Sequence, residues 1–423
     1  MGPLKSPVST ASETETGGGG WAQIRWSSPI PAGLDTSYCI LALREQGWEV
    51  IAVTVDTGGF RPGELEAIGA RARALGAREH LALDRRAQVY DRFVSWIIRG
   101  NVLRGGVYPL CVAAERVEQA IAVAEVARER GARAVAHGST GAGNDQVRFD
   151  AAFRTLLPGT EVLAPIRAAR VSRQQATARL RAAGLQVEER TTELSVNVSL
   201  WGTTIGGREL HDPWRYPKDD VWRLVCDPAR AAEPREIFLR FEQGLPVALD
   251  DAPLAGIDLV ARLNELAGAR GVGRGVHLGD TILGIKGRIA FEAPAPLVLV
   301  LAHRELEKLV LTKWQQFWKD MLATFYGNLL HEGLYFDPVM RDIEALLASS
   351  QQRVTGEVRV WLGAGRAEVR GVRSPYTLVA PEIATYGEGN AYWDGADAAG
   401  FCKLFPLQAA IASWRAPGGQ EER

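Results

Sequence analysis

From Thr36 to Gly47 apolar residues crowd a segment that reads as a helix, and EVIAVTVD (Glu49 to Asp56) follows it without a polar break until its end. A continuous β-branched run is the pattern of a strand covered on both faces. PGELEAIGARARALG then has the spacing of an amphipathic helix closed by Gly76. EHLALD (Glu79 to Asp84) reads as a short strand, Arg86 to Leu103 and Val112 to Arg130 as long helical stretches, and AVAHG (Ala134 to Gly138) as another buried strand. Strands alternating with helices at this spacing predict a doubly wound parallel α/β sheet. Ligands of such sheets sit at the carboxyl ends of the strands. Three polar, glycine-bearing segments fall there: the turn at Gly33, DTGG from Asp56, and HGSTGAGNDQVRF from His137 to Phe149.

Beyond about Gly184 the pattern changes. Strand-like runs at Ile237 to Phe241, Leu297 to Leu301, Gly356 to Leu362 and Ala367 to Val372 mix with helices at Ile257 to Leu266 and Leu306 to Phe325, which predicts a second, α+β domain. Ala398 to Ala412 is apolar enough for a helix that packs on something, another subunit being one candidate. Trp314 and Trp318, one helical turn apart, suggest a packing stripe. No internal repeat is visible.

The 423 residues are 46% hydrophobic, enough for two or three domains. A net charge of −1 gives no reason to expect nucleic acid as the main partner. The four cysteines form no CxxC, so neither a structural zinc site nor a disulfide framework is indicated, and a reducing cytoplasm is the expected compartment. The longest apolar run, Pro296 to Ala302, is too short to cross a bilayer. The first twenty residues lack the apolar centre of a signal peptide and read as a disordered tail.

The richest chemistry lies in HGSTGAGNDQVRF. Thr140, Asn144, Asp145 and Arg148 are set among glycines just after a strand. Glycines let backbone N–H groups approach a ligand, and an Asn–Asp pair can hold an amino acid's amine and carboxylate. The plainer reading is a glycine-rich turn with an asparagine cap on the next helix.

Taken with LAGARGVGR, LGIKGR, AHRELEKLVLT, QRVTGEVRVWL, RSPYTL and ATYGEGNAY, this segment makes the chain resemble the argininosuccinate synthase family, in order from Gly33 to Leu404. The resemblance implies an N-type ATP pyrophosphatase (adenine nucleotide α-hydrolase-like) sheet, an α+β synthetase domain and a C-terminal helical arm. The corresponding divisions are a tail over 1–26, a nucleotide-binding domain over 27–187, a synthetase domain over 188–388 and the arm over 389–423. It also implies a homotetramer, ATP with Mg2+, and a ligation in which the ureido oxygen of citrulline attacks the α-phosphate. Pyrophosphate leaves, and the amine of aspartate then displaces AMP. Carried across by position, Gly33, Asp35, Thr36, Ser37, Asp56, Gly58, His137 and Gly138 belong to the nucleotide side. Thr140, Asn144, Asp145 and Arg148 form the aspartate clamp, with Asp145 as the catalytic residue, and Ser195, Thr204 and Arg104 line the second-substrate pocket.

Two parts depart from the family pattern. Arg104 stands for a tyrosine, Val112 and Ala113 for small hydroxyls, Ala142 for a lysine, Gly279 for a glutamate and Phe291 for a tyrosine. Several losses converge on the citrulline pocket, and Arg104 would suit a carboxylate-bearing substrate. A ligase joining aspartate to something else, and an inactive paralogue in which Arg104 points to solvent, both remain open. The phosphate loop reads Pro29 to Ser37, with Pro31 and Ala32 where the family has serine and glycine, and proline removes both a hydroxyl and a backbone donor. As written, this predicts weak or absent ATP turnover. WAQIRWSSPIP, with two prolines, Arg25 and Gln23, also reads as a poor central strand.

A coding slip explains both. Arg25 to Ala32 can be encoded so that reading from the third base gives Val-Val-Leu-Ala-Tyr-Ser-Gly, running into Gly33 as a good strand and the family loop. Everything before Gly33 would then be out of frame. Sequencing the gene across these codons is expected to show one surplus base just before the Gly33 codon; an in-frame Pro31 ends the idea.

Overall fold

The apolar runs of the first half become a five-stranded, all-parallel sheet. Its strands are β1 (Trp21–Trp26), β2 (Glu49–Asp56), β3 (Glu79–Asp84), β4 (Ala134–Ala136) and β5 (Glu161–Leu163), in the order β3-β2-β1-β4-β5. The structure is a computed structural model that describes residues 21–26, 34–186 and 194–416. The loop at 27–33, with Pro31, Ala32 and Gly33, lies outside the described residues.

The helices of this half are α1 (Leu34–Glu45), α2 (Glu64–Ala74), α3 (Arg86–Val89), α4 (Ser95–Arg99), α5 (Ala113–Glu129), α6 (Asp145–Leu156), α7 (Pro165–Ala169) and α8 (Arg173–Ala182). A single π-helical turn, Tyr90–Val94, joins α3 to α4. Both faces of the sheet are covered. Val50 and Ala52 pack with α1, α2 and α8, whereas Ile51, Val53 and Val55 pack with α5 and α6. That division explains why β2 carries no polar alternation.

The segment that reads as a poor central strand nevertheless forms one. β1 pairs in parallel with β2 on one side and β4 on the other. The ladder is made by backbone groups, and β1 ends at Trp26, before the prolines counted against it. Strand order reverses between β1 and β4, which makes the crevice at their carboxyl ends the topological switch point.

The second half builds two antiparallel sheets from β6 (Leu194–Ser199), β7 (Gly202–Gly207), β8 (Arg235–Glu242), β9 (Leu245–Leu249), β10 (Ala252–Pro253), β11 (Arg274–Asp280), β12 (Lys286–Glu292), β13 (Gly356–Gly363) and β14 (Arg366–Arg373). One has the order β10-β9-β8-β13-β14 and the other β11-β12-β7-β6. Helices α9 (Gly256–Gly268), α10 (Pro294–Val310), α11 (Lys313–Glu332) and α12 (Val339–Gln351) contribute buried side chains to the largest core, with β8, β13 and α4. No described helix is long and apolar enough to cross a membrane.

Leu297 to Leu301, expected as a strand, is the middle of α10. Its residues are apolar because the helix is enclosed, and a short apolar run does not distinguish an enclosed helix from a strand. Pro294 and Pro296 sit in the first turn, where a missing N–H costs no helical bond. The single helix expected over Leu306 to Phe325 is two. Thr312 accepts from Gln315 N in a capping box that starts α11 afresh, worth about 1 kcal/mol. The last helical stretch is likewise split at Phe405–Pro406 into α13 (Gly395–Leu404) and α14 (Leu407–Trp414), neither of which buries a residue in this chain.

Across the large core runs a buried polar chain. Glu307 on α10 accepts from Asn101 Nδ2 and Gln351 Nε2, and pairs with Lys319 Nζ on α11 at 2.5 Å. His303 bridges the two amide oxygens, 2.7 Å from Asn101 Oδ1 and 2.8 Å from Gln351 Oε1. His303 sits in the middle of α10. Because Lys319 is fully buried, removing its counter-charge is costly. Glu307→Ala is expected to lower stability by about 3–5 kcal/mol, read as a fall in the denaturation midpoint; an unchanged midpoint would contradict this account.

Candidate active site

At the switch point the turn after β4 lies against the start of α1. A Cβ added to Gly138 would stand 3.0 Å from the Asp35 carbonyl carbon and 3.1 Å from Thr36 N, so only glycine allows this approach. The first turn of α1 carries Asp35, Thr36 and Ser37. Burial raises the Asp35 carboxyl above its usual range, with Arg173 opposing the shift. Ser37 Oγ is buried with no hydrogen-bond partner among the described residues. Asp56, at the end of β2, closes its own loop by accepting from Gly58 N at 2.8 Å. Gly58, at φ +98°, is pressed onto the Leu200 backbone, and Leu200 N donates to Thr57 O at 2.9 Å. The loops of the parallel sheet therefore touch the second half of the chain directly.

His137 is buried and acts within the protein. Ser139 N donates to its Nδ1, which leaves the proton on Nε2, 2.8 Å from Asp150 Oδ1. Burial opposes ionisation of Asp150, but hydrogen bonds from His137 and Arg167 outweigh it and hold its pKa at about 2. The pair fixes the turn that presents Ser139 and Thr140; Thr140 itself is exposed.

Asn144, Asp145 and Arg148 meet at the seam between the two halves. Asn144 is not a side-chain cap; its Oδ1 accepts from Ile282 N, in the β11–β12 turn, at 2.9 Å. Asp145 is shared by two guanidinium groups, 2.8 Å from Arg116 Nε and 2.9 Å from Arg148 Nη1. Arg116 also reaches Asn197 Oδ1 on β6 at 2.7 Å, and Arg148 Nε donates to His331 O, at the end of α11, at 2.8 Å. Arg116 and Arg148 are both buried. Sequence reading missed Arg116, and the one available signal was an arginine in the apolar stretch of α5.

The sheet β11-β12-β7-β6 closes the other side. Asn197 lies directly opposite Thr204, Thr204 opposite Phe291, and Phe291 opposite Gly275. Cross-strand partners share a face, so Ser195, Asn197, Thr204, Phe291, His277 and Gly279 form one surface. Thr204 is buried and Ser195 exposed on it. Tyr108 stacks on His277 with centroids 5.5 Å apart. Val112 and Ala113 face the core. Arg104 is half-buried and donates to Asp280 O at 2.9 Å, so it turns toward this face and not to open solvent. Glu292 is fully buried and accepts from the backbone N–H groups of Arg223, Leu224 and Val225. Arg288 donates to the Asp212 and Arg215 carbonyls; only Lys286 forms a surface pair, with Asp280.

The arrangement joins a helix N-terminus, two glycine loops and an amide–carboxylate pair across one seam, with a strand face opposite. Comparison with known proteins agrees along the length of the chain. Residues 29–186 match the arginosuccinate synthase N-terminal HUP domain and residues 194–412 the arginosuccinate synthase C-terminal domain. The argininosuccinate synthase of Xanthomonas axonopodis pv. citri is 42% identical over 386 residues, 90% of this chain and 92% of that protein. The one from Methanocaldococcus jannaschii is 35% identical over 384 residues, 90% and 96% respectively. Among solved structures, an NAD+ synthetase from Burkholderia pseudomallei covers 41% of this chain and 62% of its own at 17% identity and a TM-score of 0.28, too distant to carry an inference. With an adenine-nucleotide α-hydrolase-like sheet and a mixed C-terminal domain both matched, the chain belongs to the argininosuccinate synthase family of ATP-dependent carbon–nitrogen ligases.

Proposed function

We propose that this chain carries out the family's two-step ligation, joining aspartate to citrulline through an adenylate. The ureido oxygen attacks the α-phosphorus of ATP and pyrophosphate leaves with the electron pair of the broken P–O bond. The aspartate amine then attacks the ureido carbon, AMP departs, and the amine loses a proton. The observation that carries this reading is the placement of Asn144 and Asp145 on the same turn as Gly138, which lies against the start of α1.

Asp35, Thr36 and Ser37 at the α1 N-terminus favour phosphate, with Gly33 preceding them and Asp56, Gly58 and Gly138 shaping the adjoining loops. His137 positions the turn. Thr140, Asn144 and Asp145 hold aspartate, the Asp145 carboxylate orienting the attacking amine; Arg148, itself anchored on His331, and Arg116 hold Asp145. Ser195, Thr204 and Arg104 face the second substrate. Magnesium would enter on the ATP phosphates, with Asp35 the adjoining carboxylate. Bound there, the ion neutralises phosphate charge. The work of the protein is positioning and electrostatic stabilisation. The divisions 27–187, 188–388 and 389–423 serve nucleotide, synthetase and arm functions in this reading, and the compartment is the cytoplasm.

The homotetramer is part of the same proposal. Trp314, Phe317, Trp318, Met321 and Phe325 make a stripe on α11 that is exposed in the single chain, with Trp314 63% and Trp318 55% exposed. Phe401, Phe405, Ile411 and Trp414 on the arm are exposed as well. Apolar surface on this scale fits contacts between copies.

Calorimetry is expected to detect binding of ATP, and of aspartate in its presence. Asp145→Asn should weaken aspartate binding by about 10- to 100-fold, and unaltered affinity would remove Asp145 from the site; failure of the parent chain to bind ATP would favour the inactive paralogue. Light scattering should find a tetramer and, for Trp318→Glu with Phe325→Glu, smaller species; a monomeric parent chain would overturn the assembly.

A further inference from the structure

Helix α5 begins at the seam, and its first turn reaches both ligand loops. Glu115 is 2% exposed and accepts from Thr57 Oγ1 at 3.3 Å, in the loop that carries Asp56 and Gly58. The next residue, Arg116, holds Asp145 and Asn197, and its Nη1 donates to Gln119 Oε1 at 3.2 Å. Glu118, one turn on, is committed elsewhere: it pairs with Arg92 at 2.9 Å, and Arg85 lies 4.0 Å away.

Two buried guanidinium groups on one carboxylate leave the Asp145 cluster a counter-charge short, and Glu115 supplies it. Burial works against the charge of Arg116, but Asp145 and then Glu115 outweigh it and raise its pKa above the ordinary arginine value. Arg148, where burial is opposed by Asp145 and Tyr108 but reinforced by Arg116, falls below that value. The titratable neighbours Cys111 and Tyr108 stay protonated. Burial and Glu115 raise the Cys111 thiol; burial, Cys111 and Glu115 raise the Tyr108 phenol, with Arg148 opposing.

Of Arg116, Arg148, Asp145 and Glu115, it is Asp145 that opens toward a ligand. Its side chain is 34% exposed, against 5% for Arg116 and 6% for Arg148. An ammonium arriving at Asp145 therefore meets the field of all four groups. With Glu115 in place two positive charges face two negative ones. Without it one guanidinium charge is uncompensated, and in a site removed from water that charge repels an ammonium.

We propose that Glu115 is a positioning residue for the aspartate step: its buried negative charge offsets Arg116, so that Asp145 keeps its attraction for the ammonium of aspartate. Glu115 acts through Arg116 and does not touch the ligand. The proposal rests on the ligase reading for the place of the amine at Asp145, while the role of Glu115 rests on the charges around it.

The test is calorimetry on the full chain with saturating ATP, comparing aspartate with succinate, the same dicarboxylate without the ammonium. The parent chain is expected to prefer aspartate. Glu115→Gln keeps an acceptor for Thr57 and loses the charge, and it should cut that preference about tenfold by weakening aspartate alone. Thr57→Val, which removes the hydrogen bond and keeps the charge, should leave the preference in place, as should Glu115→Asp. A merely structural role would move both ligands together. An unchanged preference in Glu115→Gln, or its loss in Thr57→Val, overturns the proposal. If Glu115→Gln does not fold, Glu115→Asp decides: a retained preference supports the charge role and a lost one defeats it. A parent chain that binds neither dicarboxylate, or both equally, refutes Asp145 as the partner of the amine and the proposal with it, whereas a parent that prefers aspartate beside an unchanged Gln variant refutes only the role of Glu115.

Discussion

The Asp145 carboxylate, held between Arg116 and Arg148, is the contact on which the site depends. It stands at the start of α6, where a negative charge is favoured by the helix dipole. Through Arg116 it is tied to β6, and through Arg148 to the end of α11. Two buried guanidinium groups share this one carboxylate, so its loss would take the Asp145 counter-charge from both. The parallel sheet and the antiparallel sheet are thus registered against each other by the group assigned to the attacking amine.

The two ligand regions proposed at this seam are built on different terms. The nucleotide and aspartate side is a meeting of backbones: Gly138 on Asp35, Gly58 on Leu200, a helix start, and loops closed by their own side chains. The second-substrate side is a meeting of side chains on a strand face, with Arg104 brought in from a separate segment. Backbone geometry tolerates change around it, whereas a side-chain pocket changes its ligand when three or four residues change.

The parallel fold was legible in the residues. β2, α2, β3, α5 and β4 all follow from apolar period and glycine stops, since strands enclosed on both faces and amphipathic helices leave distinct traces. Leu297 to Leu301 shows where that logic fails: full enclosure erases the period that separates helix from strand. β1 shows the opposite failure, because pairing on both sides supplies backbone bonds that side-chain pattern does not announce.

The sequence by itself determined the order of elements, the glycines at which backbones can meet, and the polar residues from Thr140 to Arg148 that could serve a ligand. These are local properties, set by side-chain size, backbone freedom and periodicity. Which of those residues turn inward and which are spent on neighbours was decided only by the tertiary structure. Arg116, His277 and His331 come from three distant segments, and a hydrogen bond exists only once such segments are brought within about 3 Å of each other.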